Sequence, residues 1–401
     1  MDYSENRLAD YSDDSAISRG AMDVPFLLLT LLLLAIGVVM VFSASFARAY
    51  YSAASNHNPS YYFTRQIVFA LMGVAAMLVA SRFPIGFYRR FAGPILATAV
   101  ALLLLVLVGG TKVNGARRWF AIAGVTFQPS EIAKIAVILF DATLICRYHS
   151  KMNTFRYGVL PFGIVAGLIV GLLILEPHLS ASIIIIAITA TMMFIGGARL
   201  IWFLIGGGAV GLGFFLVVNV LSYSSERISA WRDPFGDTGD TGYQIVQSLY
   251  AIGSGGLSGL GLGNSRQKYL YLPEEHNDFI FSVVCEELGF IGATLILILF
   301  ALLVIRGYWI AMRASDRYGA LLAAGFTTLL ALQVFFNVGV VTNFLPATGI
   351  SLPFFSYGGT ALLLQLAEMG VVLSISRDIP EKKLFRRKKP VGRVKETGAR
   401  A

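Results

Sequence analysis

Charged residues are scarce in this chain of 401 residues: they make up 14% of it, whereas hydrophobic residues make up 56%. A typical soluble domain carries roughly 25% charged residues, so the composition excludes an ordinary soluble protein. The alternating segments of about ten residues that indicate a membrane β-barrel are also missing. The apolar runs are continuous and rich in Leu, Ile and Ala, which predicts membrane-spanning helices.

Cysteine is equally rare, with Cys146 and Cys285 as its two instances. Both lie inside apolar runs, on different predicted helices, so we expect buried thiols and no disulfide. No spacing typical of a zinc site occurs. The N-terminal segment 1–23 is too polar for a cleavable signal peptide, and we expect the first apolar run to remain as a membrane anchor.

The predicted fold is an all-α polytopic membrane protein of about ten transmembrane helices. We divide it into a polar cytoplasmic tail (1–23), a membrane domain (24–376) and a basic cytoplasmic tail (377–401). A large extracytoplasmic loop, 222–278, separates helices 7 and 8. The ten spans are predicted near 25–47, 62–82, 92–109, 130–147, 158–175, 179–197, 200–221, 279–305, 319–342 and 359–376.

Basic residues concentrate in alternate loops, and the formal net charge is +9. Because cytoplasmic loops retain Lys and Arg, this distribution places both termini in the cytoplasm. The basic tail indicates orientation and contact with anionic lipids in preference to nucleic-acid binding. The basic loop residues are Arg82, Arg89, Arg90, Arg147, Lys151, Arg156, Arg199, Arg306, Arg313 and Arg317. The opposite face receives the loops 48–61, 110–129, 222–278 and 343–358, which are therefore where we look for a site.

The loop 222–278 carries a run of glycines at positions 253, 255, 256, 259, 261 and 263. Consecutive amides of such a run can bind phosphate, and Arg266 and Lys268 follow it directly. The Lys-Ser/Thr ending of a nucleotide P-loop and the strand of a dinucleotide site are both missing. A phosphate-binding loop and a plain flexible loop both remain possible interpretations.

Asp278 stands where this loop becomes helix. It is interpreted either as an N-cap, a role that Asn277 could also fill, or as a general base toward a hydroxyl. Helical spacing would place Ser282, Cys285 and Gly289 on the same face as Asp278. For the deeper Glu286 and Glu287 we expect ion-pairing or structural roles.

The stretch 112–134, "KVNGARRWFAIAGVTFQPSEIAK", combines two features. Gln128, Pro129 and Ser130 predict a helix start, after which Glu131 and Lys134 share one face and can pair. That pair is either a structural salt bridge or the lining of a polar cavity. Before the helix, Arg117 and Arg118 suit phosphate, while Trp119 is typical of a membrane interface.

Prolines and glycines interrupt the apolar pattern in 337–363. Irregular backbone at membrane depth is tolerated only where it is buried in protein or lines a cavity. We therefore predict a re-entrant loop that lines a substrate site.

Together these stretches resemble the SEDS family of bacterial cell-wall proteins, which includes FtsW, RodA and SpoVE. The resemblance spans about 24–376 and rests on "MVFSAS", "NGARRWF", "QPSEIAK", "QKYLYLPEEHNDFIF" and "GISLPFFSYGG"; the first and the last two of these are more similar to the FtsW branch. Two departures stand out: Asn277 replaces Thr in the family's "HTDF", and His178 and Ser180 replace Asp and Gly in "EPDLG" after Glu176.

The resemblance implies ten membrane helices with cytoplasmic termini and a peptidoglycan glycosyltransferase that polymerises lipid II in the inner membrane, in septal wall synthesis during cell division. It implies partners in a class B penicillin-binding protein of the FtsI type, other divisome membrane proteins and membrane lipids, with no nucleic acid. The family's essential aspartate matches Asp278, and its motif residues match Trp119, Glu131 and Lys134.

We expect an inverting, metal-assisted sugar transfer in which Asp278 is the base and also a ligand of a divalent cation, Mg²⁺ or Mn²⁺. Two rival functions are a lipid II flippase, for which intramembrane acids are also expected, and a scaffold that only recruits partners. Substrate binding is assigned to Arg117, Arg118, Trp119, Glu131, Lys134, Lys268, His276 and Ser356.

Overall fold

The computed structural model describes residues 20–113, 116–122, 125–219, 225–236 and 240–379. Most of the predicted N-terminal tail (1–19), nearly all of the basic tail (380–401), Asn114 and Gly115 of the "NGARRWF" motif, and parts of the large outer loop lie outside the described residues.

Thirteen α-helices and three short strands follow one another in these ranges. The helices are α1 Val24–Tyr51, α2 Tyr61–Ala80, α3 Ile85–Gly109, α4 Pro129–Arg147, α5 Phe155–Gly158, α6 Leu160–Leu175, α7 Leu179–Gly196, α8 Leu200–Asn219, α9 Ser225–Arg232, α10 Asp240–Gly255, α11 Ile280–Arg313, α12 Arg317–Val341 and α13 Gly359–Arg377. The strands are β1 Thr111–Val113, β2 Ala116–Ile122 and β3 Val125–Phe127.

Every predicted span coincides with a helix. Within the described ranges, eight segments are long and apolar enough to cross a membrane: α1, α2, α3, α5 with α6, α7, α11, α12 and α13. The other two predicted spans correspond to α4 and α8. Helix α4 is the more polar of these because Glu131, Lys134 and Asp141 lie inside it, and all three are buried. The polytopic helical fold is thus confirmed.

The strands form a small antiparallel sheet of order β1-β2-β3 between α3 and α4, a sheet that no sequence pattern predicted. Its register pairs Thr111 with Trp119 and Phe120 with Phe127. Thr360, at the start of α13, donates a hydrogen bond to the carbonyl oxygen of Thr126 at 2.9 Å. The sheet therefore lies against the end of the bundle at which the candidate site is found.

Part of the large outer loop packs along α11. The amides of Phe290 and Ile291 donate to the carbonyl oxygens of Gly256 and Leu257 at 2.9 and 3.1 Å. Helix α11 is kinked at Gly289, whose φ of 66° lies in the left-handed region that glycine tolerates. The interpretation of this stretch as a plain flexible loop is therefore wrong.

The segment 343–358 between α12 and α13 is irregular, and its part from Leu352 to Ser356 is buried, as the sequence predicts for a re-entrant loop. Phe354 and Phe355 are fully buried and pack against Phe300, with ring centroids 6.3 and 5.7 Å away. A side chain at Gly37 on α1 would collide with the carbonyl of Phe354. The two cysteines are free thiols on separate helices, as predicted, but Cys285 alone of the two is buried and Cys146 is partly exposed.

Candidate active site

Three consecutive carbonyl oxygens of the Asp278 loop each accept a hydrogen bond. The amide of Tyr357 donates to His276 at 2.8 Å, the hydroxyl of Ser356 donates to Asn277 at 2.8 Å, and the side-chain amide of Asn337 donates to Asp278 at 2.7 Å. These donors come from α12 and from the re-entrant segment. The backbone at Asp278 is thus fixed by elements that lie more than 50 residues later in the chain.

The Asp278 side chain is half-buried, in contrast to its fixed backbone. Burial raises the pKa of this carboxyl to about 7, and the negative charge of Glu274 adds to the shift, while Arg227 opposes it. The N-cap position of α11 is Phe279, and it makes no side-chain capping bond. The N-cap interpretation of Asp278 and Asn277 is therefore wrong, and so is the expectation that Asp278 shares a helix face with Ser282.

Glu275, three residues before Asp278, forms a two-pronged ion pair with Arg48 of α1, both N–O distances being 2.8 Å. Although its burial would raise the pKa of Glu275, the Arg48 guanidinium and the His276 ring hold it below its usual range. The buried ring of His276 packs on Tyr62 and Tyr357, with centroid distances of 4.8 and 5.8 Å. These contacts attach the loop to α1 and α2.

Beneath the loop, Lys268 forms a buried ion pair with Glu287 at 2.9 Å. Its ammonium also donates to the Ser43 hydroxyl and to the carbonyl of Gly263. Since these contacts engage the Lys268 ammonium inside the protein, its assignment to substrate binding is wrong. The predicted structural role of Glu287 agrees with this ion pair.

Ser356, expected to bind substrate, is also directed into the protein. Besides donating to Asn277, its hydroxyl accepts from the amide of Leu352 at 2.7 Å. Its position is that of a residue that orients the Asp278 loop, so the assignment to substrate binding is corrected to a positioning role.

The arginines of the sheet occupy different environments. Arg117 is exposed and donates to the carbonyl of Val108 at 3.0 Å, while Arg118 donates to the carbonyls of Glu176 and Pro177 and so joins β2 to the α6–α7 connection. Trp119 is half-buried on β2. Arg117 and Trp119 therefore remain available to a substrate, whereas Arg118 has a structural contact.

Glu131 and Lys134 form the predicted ion pair, with an N–O distance of 2.7 Å. Near it, in the α6–α7 connection, burial raises the pKa of Glu176 to about 8. Burial, with the charges of Arg118 and Lys134, lowers the pKa of His178 to about 3. These two side chains are therefore neutral near pH 7, and the Nε2 atom of His178 lies 3.4 Å from the side-chain nitrogen of Gln128, at the start of α4.

Sequence reasoning missed four residues around Asp278: Arg48, Glu274, Arg227 and Asn337. Asn337 lies within the irregular stretch 337–363, and Glu274 lies within the "QKYLYLPEEHNDFIF" motif. Arg48 and Arg227 are remote from Asp278 in the sequence, and no motif or pattern pointed to them. Glu274 and Asp278 carry carboxylates beside the fixed backbone, and a third carboxylate, that of Glu275, is paired with Arg48. The described residues contain no group of three or more His, Cys, Asp or Glu arranged for a metal. A cation here would need ligands from its substrate.

Over most of its length the chain is similar to known proteins of one family. The model of the FtsW/RodA/SpoVE family, described as "Cell cycle protein", matches residues 24–380. The "Probable peptidoglycan glycosyltransferase FtsW" of Trichlorobacter lovleyi is 42% identical over 88% of this chain and 93% of its own length. "Stage V sporulation protein E" of Bacillus subtilis is also 42% identical, over 88% of this chain and 97% of its own.

Solved structures agree with these relatives. The rod shape determining protein RodA of Thermus thermophilus has a TM-score of 0.66 and 28% identity, covering 90% of this chain and 98% of its own. A chain from a structure entitled "Structural coordination of polymerization and crosslinking by a peptidoglycan synthase complex" has a TM-score of 0.72 and 27% identity, covering 89% and 98%. This chain is an integral inner-membrane protein that belongs to the FtsW/RodA/SpoVE family.

Proposed function

We propose that the chain is a peptidoglycan glycosyltransferase that polymerises lipid II into glycan strands at the outer face of the inner membrane. The observation that carries this proposal is Asp278, a half-buried carboxyl with a pKa of about 7 on a backbone held at three consecutive carbonyls. A carboxyl with a pKa near the working pH is suited to accept a hydroxyl proton. Relatives named as peptidoglycan glycosyltransferases support the same reaction.

In this reaction Asp278 removes the proton from a sugar hydroxyl of the acceptor. The oxygen attacks the anomeric carbon of the donor, and the bond from that carbon to the lipid pyrophosphate breaks, so that the leaving group takes the electron pair. A single displacement inverts the configuration at this carbon. Arg227, whose charge acts on Asp278, can offset negative charge on the leaving group. The exposed part of Asp278 then returns its proton to water.

A divalent cation fits the donors at this site. Mg²⁺ is usually held by one or two carboxylates together with substrate phosphates, and Glu274 and Asp278 supply two carboxylates here. When bound, the cation would offset the charge that grows on the pyrophosphate. We expect chelation to abolish polymerisation, Mg²⁺ or Mn²⁺ to restore it, and Glu274→Gln to weaken Mn²⁺ binding measured by electron paramagnetic resonance. Undiminished Mn²⁺ binding in that variant would remove Glu274 from the site.

The partner we propose is a class B penicillin-binding protein of the FtsI type, within a septal assembly that includes other divisome membrane proteins. The structural relative from a peptidoglycan synthase complex that coordinates polymerisation and crosslinking supports this. Both termini are proposed to be cytoplasmic, from the distribution of Lys and Arg. Reporter fusions at both termini test that orientation, and microscopy of a fluorescent fusion tests the septal location.

The decisive experiment measures lipid II polymerisation by the purified chain with its class B partner. We compare wild type with Asp278→Asn and with Asp233→Asn, a matched change at an exposed aspartate of the outer loop. Loss of a general base costs about 10²–10⁴-fold in rate, so we expect that loss in the first variant and wild-type rates in the second. Wild-type activity in folded Asp278→Asn would overturn the assignment.

A lipid II flippase is the second candidate, favoured by the buried acids Asp141 and Glu368 within α4 and α13. A fluorescent lipid II analogue in proteoliposomes, with its accessibility measured by quenching, distinguishes the two functions. Polymerisation without translocation supports the enzyme. Translocation that survives Asp278→Asn, in a chain that makes no polymer, supports the flippase.

A further inference from the structure

A cavity lies in the outer loop, formed by residues other than Asp278 and its hydrogen-bonding partners. It is open on one side, has a volume of about 600 Å³, and is lined among others by Asn264, Arg266, Gln267, Tyr269 and Tyr271. Ligand sites in proteins commonly measure about 300–1,000 Å³. The size therefore suits a small molecule or the polar end of a larger one.

Hydrogen bonds to Glu286 hold residues 265–267, which line this cavity. The carboxylate of Glu286 accepts hydrogen bonds from the hydroxyl of Ser265 and from the amides of Arg266 and Gln267, at 2.5, 2.9 and 3.3 Å. Arg266 makes these contacts through its backbone amide. Its exposed side chain can therefore contact a ligand without breaking the hydrogen bonds to Glu286.

Because Glu286 contacts the lining of the cavity, the depth of Glu286 along α11 gives the depth of the cavity in the membrane. A span needs about 20 residues, and counting 20 back along α11 from Arg306, the first basic residue of its cytoplasmic end, reaches Glu286. Arg306 stacks on Trp309, with the guanidinium carbon 3.8 Å from the ring centre, an arrangement suited to a membrane interface. Phe290 and Ile291, just past Glu286, are 65% and 57% exposed, as lipid-facing residues are. The cavity thus lies at the level of the outer lipid headgroups.

The lining favours a phosphate-bearing headgroup. Among the residues that line the cavity, Arg266 carries a planar fork of donors suited to phosphate, and none is a carboxylate. The exposed rings of Tyr269 and Tyr271 suit the interface between water and lipid.

Two exposed leucines flank the polar lining. Leu262 is 56% exposed and Leu270 is 53% exposed. Leu270 also has a φ of 67°, a backbone conformation that is unusual for a bulky residue and that tends to occur at functional sites. An apolar chain can lie against these leucines while its headgroup occupies the cavity.

We propose that this cavity binds the anionic phosphate headgroup of a membrane lipid, with Arg266 on the phosphate and Leu262 and Leu270 against the lipid chain. Two lipids carry this chemistry: a phospholipid such as phosphatidylglycerol, and a polyprenyl phosphate.

Native mass spectrometry of the full chain in detergent tests the proposal, with phosphatidylglycerol, a polyprenyl phosphate and zwitterionic phosphatidylcholine titrated separately. The variants are Arg266→Gln, Arg266→Lys and the control Arg232→Gln, at an exposed arginine outside the cavity. One basic residue near a lipid surface changes binding about fivefold. We expect Arg266→Gln to weaken anionic-lipid binding by that factor, Arg266→Lys to retain most of it, and Arg232→Gln to match wild type.

The separate titrations of the two anionic lipids identify which lipid the cavity binds. Weakening of phosphatidylglycerol binding assigns the cavity to a phospholipid, and weakening of polyprenyl phosphate binding alone assigns it to the lipid carrier. Equal binding of both anionic lipids by wild type and Arg266→Gln overturns the proposal, as does equal binding of phosphatidylcholine by wild type. Melting temperatures confirm that the variants are folded.

Discussion

The hydroxyl of Ser356 donates a hydrogen bond of 2.8 Å to the carbonyl oxygen of Asn277, the residue before Asp278. The two residues are 79 positions apart in the sequence, and the same hydroxyl accepts from the amide of Leu352. Through this side chain, together with the amide of Tyr357, the re-entrant segment between α12 and α13 holds the backbone that carries the proposed base.

Removing this hydroxyl should slow polymerisation while leaving the base in place. Displacement of a reacting group by about 1 Å can cost 10²-fold in rate, so we expect Ser356→Ala to lose about tenfold or more. Thr64→Ala, which removes an exposed hydroxyl on α2, is the matched control. Initial rates with saturating partner measure the effect. A positioning residue alters kcat and leaves the pH midpoint of the reaction unchanged. An unchanged kcat in Ser356→Ala would therefore contradict the positioning role.

The polymerisation rate should depend on pH through Asp278. A base must be ionised, and with a pKa of about 7 its ionised fraction rises about tenfold between pH 6 and pH 8. We expect kcat to follow that rise. Asp233→Asn should keep the same profile, and a rate that stays flat over this range would contradict ionisation of Asp278 as the controlling step.

The same shift predicts how stability varies with pH. The pKa of Asp278 is raised from 3.8 to about 7, so the folded state holds this proton more tightly than the unfolded state does. The stability from that proton is fully present below about pH 4 and is lost as pH rises through about 7. Asp278→Asn should therefore raise the melting temperature relative to wild type at pH 8 more than at pH 4. An equal difference at both pH values would count against the raised pKa.

The buried ion pair between Lys268 and Glu287 should be costly to break from one side. Removing one partner of such a pair costs about 3–5 kcal/mol, since the other charge is left buried. We expect Lys268→Met to destabilise the chain by that order and Lys268→Met with Glu287→Gln to recover most of the loss. Denaturant unfolding in detergent measures both. Equal stability of the single and double variants would show that the two residues are not coupled.

Gly289 should not tolerate a side chain. Its φ is 66°, and a Cβ there would collide with the backbone of Gly259 in the loop packed on α11. We expect Gly289→Ala to release that loop, detected as faster proteolysis between α10 and α11. Gly253→Ala is the control, because its Cβ would meet no atom within 4 Å and Ala is favoured over Gly in a helix by about 1 kcal/mol. Equal proteolysis of both variants would contradict the packing argument.

Hydropathy and charge in the sequence alone determined the membrane class, the positions of the ten predicted spans, each of which coincides with a helix, and the choice of the outer loops as the place to look for a site. Each of these follows from local composition, because a span needs about 20 apolar residues wherever it stands. The start of α4 at Pro129 and the pairing of Glu131 with Lys134 were also predictable, since both depend on neighbours within one helical turn. The sheet over 111–127 was missed because its three strands are short.

Tertiary structure decided the roles of individual polar residues. Lys268 and Ser356 are of the right chemical type to bind substrate, but their partners Glu287 and Asn277 stand 19 and 79 positions away. No local pattern reports such contacts. The pKa of Asp278 likewise depends on burial and on the charges of Glu274 and Arg227, which only the folded chain brings together. Sequence therefore determined which segments enter the membrane, and packing between distant segments determined which polar side chains remain free to act.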